Sequence, residues 1–195
     1  MALFSIGYAT KPITTFIEQL QRYGIDAVAD VRSVPYSATF FDYHQDRLEG
    51  HLARAGIRYV YLGKELGPRS KDPEHYDNDG QVQFDRLIAS QLFRAGTQRL
   101  TTGLEKGFNI ALMCAEKDPS CCHRSLLIAY ALERQGQNTV QHITHNGDIE
   151  SQAELEKRLS RIQNIEEDLF MGPEQKLEEA YKRHCKLKAY KKPAT

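Results

Sequence analysis

The 195-residue sequence contains no tryptophan and only three methionines, carries no formal net charge (26 Lys+Arg against 26 Asp+Glu), and shows no internal repeat or low-complexity stretch. Nor does any apolar run approach the roughly 18 residues of a membrane span. Each absence removes a class. Without a domain-wide basic excess, the general argument for a nucleic-acid binder fails, because such a protein must collect phosphates along a charged face. The first residues, MALFSIGYATKPITTF, lack the basic start and long apolar core of a secretory signal. The expected location is therefore the cytoplasm, with no membrane partner. There the four cysteines, Cys114, Cys121, Cys122 and Cys185, should be reduced, so their spacing bears on chemistry or metal binding more than on disulfides.

The neutral total conceals a gradient. Residues 1–145 carry 16 basic and 16 acidic side chains, residues 146–172 carry 3 and 7, and residues 173–195 carry 7 and 3. Leu155, Leu159, Ile162, Ile165 and Leu169 recur at helical spacing behind a Ser151/Glu154 capping box. Leu177, Tyr181 and Leu187 form a second stripe after the Gly172-Pro173 break. Two regions follow: an α/β domain over 1–145, and a charged helical extension over 146–195 that forms a hairpin packed on or projecting from it.

Within the first region, apolar runs of strand length at 3–7, 27–31, 57–62, 109–114 and 139–143 alternate with amphipathic segments at 13–23, 45–55, 84–95 and 120–135. Leu87, Ile88 and Leu92 mark the inner face of the third such segment. Continuous apolar strands separated by helices imply βαβ units. The predicted fold is a three-layer α/β domain with a mostly parallel five-stranded sheet and helices on both faces.

Ligands of open α/β sheets bind beyond the carboxyl ends of the strands. Gly7, Tyr8 and Thr10 follow the first strand; Asp30, Arg32 and Ser33 lie around the end of the second. Gly63, Lys64 and Glu65 follow the third, Cys114 and Glu116 close the fourth, and His145 and Asn146 follow the fifth. Two long connections, 33–44 and 63–81, also belong to this edge, and polar loops of such length are usually functional.

The densest stretch is ALMCAEKDPSCCHRSLLIAYAL, residues 111–132, where a strand runs into a helix. Cys121, Cys122, His123 and Arg124 fall in or near the first helical turn, a place that favours a thiolate or bound anion. Three readings of the thiols stand side by side. Cys122 or Cys114 is a nucleophile; or Cys114, Cys121 or Cys122 and His123 bind a metal, though the spacing departs from C-x₂₋₄-C and no metal ligand set is assigned; or the thiols simply pack a turn. A buried Arg124 would need an acidic partner, with Glu116, Asp30 and Asp118 as candidates.

The segments SIGYATK (5–11), ADVRSVPYS (29–37), YVYLGKELG (59–67) and CAEKDPSCCHRS (114–125) resemble, in order and spacing, the motifs of the domain-of-unknown-function family 488 (DUF 488). The resemblance spans roughly residues 3–145. It implies an α/β fold and the motif positions Gly7, Tyr8, Asp30, Arg32, Ser33, Leu62, Gly63, Gly67, Cys114, Glu116, Lys117, Pro119, Cys122, His123 and Arg124, and it implies no reaction. Cys121 departs from the pattern, which weakens any role needing both adjacent thiols.

The expected function is a domain that binds a small anionic molecule, such as a nucleotide or phosphoester, or a Cys-dependent hydrolase or transferase acting on one. Arg32 and Arg124 would grip the anion, with Ser33, His123, Lys64 and the Gly7 backbone around it. Cys122 or Cys114 would be the nucleophile, and Glu116, Asp30 and Tyr8 would move protons. No cofactor follows from the sequence. The alternative is a non-catalytic module whose basic segment 173–195, with Tyr181 and Tyr190 among its lysines, binds a nucleic acid or a protein.

Overall fold

The computed structural model describes residues 1–37, 39–165 and 170–193. Five strands form where buried apolar runs were expected: β1 (Leu3–Gly7), β2 (Ala27–Asp30), β3 (Arg58–Tyr61), β4 (Ile110–Cys114) and β5 (Val140–Ile143). A sixth, β6 (Ile149–Ser151), returns antiparallel to β5 through a turn with Gly147 at φ 91°. The sheet order is β3-β2-β4-β1-β5-β6, and all pairs except β5–β6 are parallel.

Alternation along the strands sends side chains to two separate cores. Ile6, Val28, Ala111 and Met113 face α1 (Ile13–Arg22) and α2 (Gln45–Arg54), meeting Phe16, Leu20, Leu48 and Leu52. On the other face, Leu3, Ala29 and Leu112 belong to the core completed by Phe93 and Leu100 of α5 (Gln91–Glu105), Leu132 of α6 (Tyr130–Arg134) and Leu155 and Leu159 of α7 (Gln152–Ile162). Each fully buried Leu or Ile contributes about 1.5–3 kcal/mol. A short helix, α3 (Gly63–Leu66), opens the long connection after β3.

Several expectations are corrected. The sheet has six strands, not five. The segment 84–95 divides into α4 (Phe84–Ala89) and α5, because Ser90 is extended and its Oγ accepts from Phe93 N at 3.1 Å, capping a new helix. That break shifts the helical phase and leaves Leu92 55% exposed instead of inward. The segment 120–135 is not one α-helix. A 3₁₀ turn at Pro119–Cys121, capped by Asp118, gives way to an extended Cys122, then to a π-helical stretch at Arg124–Ala129 that runs into α6. The Ser125 hydroxyl, donating to the carbonyls of Pro119 and Cys122, competes with regular winding at this junction.

The extension enters the same sheet and core. β6 belongs to it, Ser151 caps α7 with the expected box, and α7 packs on α8 (Pro173–Lys188). Ile162 and Leu187, expected inside, are 46% and 68% exposed; Leu169 lies outside the described residues. Tyr181 is buried, stacked on Tyr130 with ring centroids 3.6 Å apart, and its hydroxyl donates to Leu126 O at 2.5 Å. Beyond α8 the chain pairs with the 63–81 connection: Val82 N donates to Tyr190 O at 2.9 Å and Lys192 N to Gly80 O at 2.9 Å. Lys192 sits over the Tyr76 ring, and Lys182 and Arg183 pair with Glu178 and Glu179. The nucleic-acid alternative thereby loses Tyr181 as a stacking platform. No helix among the described residues is long and apolar enough to cross a membrane.

Candidate functional site

The carboxyl ends of β2, β4 and β1 lie side by side, and the residues just past them converge. Tyr8 N continues the ladder by donating to Cys114 O at 3.1 Å, and Val31 N donates to Met113 O at 3.1 Å. Gly7 is required by this closeness: a Cβ there would stand 1.9 Å from the carbonyl oxygen of Glu116. Tyr8, Arg32, Ser33, Cys114, Glu116 and His123 line a cavity of about 350 Å³, with Tyr36 and Arg69 supplied by the two long loops.

Its floor is made by Cys114, Glu116 and His123, with Cys122 buried against them to complete a cluster of four. Glu116 is an exposed residue, yet its Oε2 turns inward and accepts from the thiols of Cys114 at 2.8 Å and Cys122 at 2.9 Å. His123 Nδ1 stands 3.7 Å from the first sulfur and 3.8 Å from the second. On its far side His123 Nε2 donates to Val31 O at 2.9 Å, which leaves Nδ1 facing the two sulfurs. Burial, the Cys122 neighbour and the Glu116 charge push the Cys114 thiol up. For Cys122 burial acts in the same direction, but Cys114 and the charges of Arg124 and His123 outweigh it and bring that thiol down. Cys121 is exposed and outside the cluster.

Asp30 and Arg32 form a buried pair behind this floor. Asp30 accepts from Arg32 Nε at 2.9 Å and Nη2 at 2.6 Å, from the Arg32 amide at 3.1 Å and from Tyr59 OH at 2.7 Å. Arg32 Nη1 donates to Tyr43 O at 2.8 Å. The Arg32 fork is thus largely held by Asp30, and Asp30 is wholly buried and not among the cavity's walls. Tyr8 lies flat on Tyr43, centroids 4.2 Å apart.

Arg124 is also wholly buried, and the expected acidic partner is absent among the described residues. Its Nη1 donates to the backbone oxygen of Glu116 at 2.8 Å and its Nε to Ser5 Oγ at 3.3 Å, while Nη2 has no partner. Lys64 is exposed on α3 and does not reach the cavity. His145 and Asn146 line a separate, larger cavity of about 820 Å³ over β6 and α7. Arg158 in that cavity is paired with Asp118 and Glu150, so size there does not come with reactive groups in apposition.

Arg69 escaped the sequence reading. Its amide donates to Ser33 Oγ at 3.0 Å, and its guanidinium lies 5.0 Å over the Tyr190 ring without a carboxylate partner among the described residues. The only local signal was a basic residue after Gly67-Pro68 in a loop of functional length.

Fold and site define an α/β protein with a thiol, carboxylate and imidazole centre at the carboxyl edge of a parallel sheet. The family model described as "Domain of unknown function DUF488" matches residues 12–131, and the chain belongs to that family. Among solved structures, a chain described as "Putative phosphatase (DUF442)" from Shewanella putrefaciens CN-32 is similar at 14% identity, over 96% of this chain and 89% of that one, with a TM-score of 0.38. A likeness at that score carries no weight for the reaction. No curated protein matches the chain.

Proposed function

We propose that the chain is a Cys-dependent hydrolase or transferase acting on a small anionic substrate in the cavity between β2, β4 and the 63–81 connection. One observation carries this reading: a thiol, a carboxylate and an imidazole line the floor of a cavity, a second thiol lies buried against them, and the rim bears an arginine without a carboxylate partner among the described residues. A volume of about 350 Å³ suits a small molecule. Arg69 is the anion's main anchor, since its fork is free for bidentate contact while that of Arg32 is engaged. Ser33 Oγ and Tyr8 OH supply neutral hydrogen bonds, and the buried Arg32–Asp30 pair holds the wall in place.

A thermal-shift screen of phosphomonoesters, nucleotides and small carboxylates tests the proposal. At least one class is expected to raise the Tm of the parent protein, and Arg69→Ala to weaken that ligand by about tenfold or more, as expected for losing a charged hydrogen bond. A parent protein shifted by no member of the screen overturns it. So does a ligand whose affinity is indifferent to Arg69→Ala.

A further inference from the structure

Acid–base chemistry needs one or two such groups, and the chain gathers four: Cys114, Glu116 and His123 on the cavity floor and Cys122 behind them. Cys114 closes β4, and after a bend at Ala115 the Glu116 carboxylate turns back to the Cys114 thiol at 2.8 Å. Cys122 and His123 are brought back against them by the 3₁₀ turn at Pro119–Cys121. All four donor atoms lie within 4.8 Å of one another.

We propose that Cys114, Glu116, Cys122 and His123 bind a single zinc ion. The inference rests on the reading of this cavity as the functional site and deepens it: the dependence on cysteine lies in two thiolates that hold the ion, and the ion, in place of a free thiol, makes the site reactive. Two sulfurs, one nitrogen and one oxygen form a borderline-soft set: hard cations such as magnesium and calcium take oxygen ligands, whereas zinc takes this mixture in a tetrahedron. With Zn–S near 2.3 Å and Zn–N or Zn–O near 2.1 Å, the edges of that tetrahedron are about 3.6 Å for S–N and S–O pairs. The observed S···N separations, 3.7 and 3.8 Å, already match. The S···O separations, 2.8 and 2.9 Å, are those of S–H···O bonds. They open by about 0.7–0.8 Å as the thiol protons leave to solvent and Zn–S bonds form, a movement within reach of an exposed Glu116 side chain.

Two surrounding features fit the ion. Metal-bound histidines commonly donate their other ring N–H to a backbone carbonyl or carboxylate, which fixes tautomer and orientation; Val31 O plays that part for His123 at 2.9 Å. The second is charge. Two thiolates, a carboxylate and Zn²⁺ sum to one negative charge, and the buried Arg124 beside them has no carboxylate partner among the described residues. The metal cluster supplies that counter-charge. Glu116, the exposed ligand, is the one placed to exchange with a substrate atom entering from the cavity, so the ion would act as Lewis acid toward the bound anion.

The test is metal content and cobalt spectroscopy on the full chain, prepared under reducing conditions. Stoichiometric zinc is expected by elemental analysis. Replacement by Co²⁺ should give visible bands of tetrahedral intensity and a sulfur-to-cobalt charge-transfer band in the near ultraviolet. Cys114→Ser and Cys122→Ser should each diminish the charge-transfer band and weaken metal binding by more than about 100-fold, beyond the roughly 10–100-fold cost of losing an outer-shell partner. Should either serine variant fail to fold, Glu116→Gln, at an exposed position, is expected to keep the sulfur band and shift the visible bands. Protein that takes up neither metal, or binds them without sulfur charge transfer, overturns the proposal. So does a Glu116→Gln variant with an unaltered cobalt spectrum. The anion reading fails separately: zinc-loaded protein that no anion shifts would refute that reading and leave the metal site standing, and Arg69→Ala should leave zinc affinity unchanged.

Discussion

Asp30→Asn is expected to cost the fold about 3–5 kcal/mol, the usual penalty for removing one partner of a buried ion pair. The carboxylate is wholly buried and accepts from three N–H groups of Arg32 and from the Tyr59 hydroxyl. Asparagine keeps one acceptor oxygen and turns an NH₂ group toward the donors of Arg32 and Tyr59. The guanidinium charge then stays desolvated, with the Tyr43 carbonyl and the ring and hydroxyl of Tyr8 beside it and no anion to balance it. For a chain of this length the loss corresponds to a Tm lowered by about 10 °C. The companion Asp30→Leu/Arg32→Met double variant should lose less than the single one, because it removes both charges from the interior together. Urea unfolding of the parent and the two variants measures this. A single-variant cost below about 1 kcal/mol, the range of exposed pairs, would show that the pair is hydrated.

That pair shows where reading residues in order reaches its limit. Asp30 and Arg32 were both placed at the end of β2 from periodicity alone, and both are there. Their roles differ from expectation because an i, i+2 pair in extended chain shares a side, so the carboxylate engages the guanidinium before any ligand can. Strands were legible because parallel strands buried on both faces are continuous apolar runs, and β1 has the bounds expected of it. β6 was not, since three residues with one apolar side chain become a strand only by pairing with β5. The cluster at Cys114, Glu116, Cys122 and His123 was visible as a dense motif. Its partner Arg69 was invisible, because Ser33 and Tyr190 position it from 36 and 121 residues away. The orphan charge of Arg124 could be expected only in the form of a question about its partner.

Lowering the pH from 6.5 to 4 is expected to remove about 3 kcal/mol of stability through His142 alone. This imidazole is wholly buried on β5: Ser5 Oγ lies 2.7 Å from Nδ1, and Nε2 lies 2.8 Å from Gln152 Oε1. Gln152 is oriented by its own amide, which donates to Glu156 at 3.1 Å, so its oxygen faces the ring and Nε2 carries the proton. The Ser5 hydroxyl receives a hydrogen bond from Arg124 and donates its proton to Nδ1. Protonating Nδ1 would reverse that bond and put a second positive charge beside Arg124. Burial first, and Arg124 after it, push the pKa down to about 4, against the help of Gln152. Above pH 6.5 the ring is neutral in both folded and unfolded chains and costs nothing. Between 6.5 and 4 the unfolded chain binds a proton that the native one refuses, so stability falls as pH falls, and the loss saturates below 4. The paired carboxylate of Asp118 acts lower down. Burial raises its pKa, but the Arg158 fork and the Ser120 amide bring it to about 2, so its contribution disappears between 3.8 and 2. With Asp118 47% exposed, screening limits that part to about 1 kcal/mol. The two windows do not overlap. In urea titrations at successive pH values, His142→Gln should flatten the curve from 6.5 to 4 and leave the descent below 3.8 in place. Parallel curves for parent and variant across the upper window, or an imidazole titration near 6.5 by NMR in the folded chain, would show that the ring accepts its proton without cost.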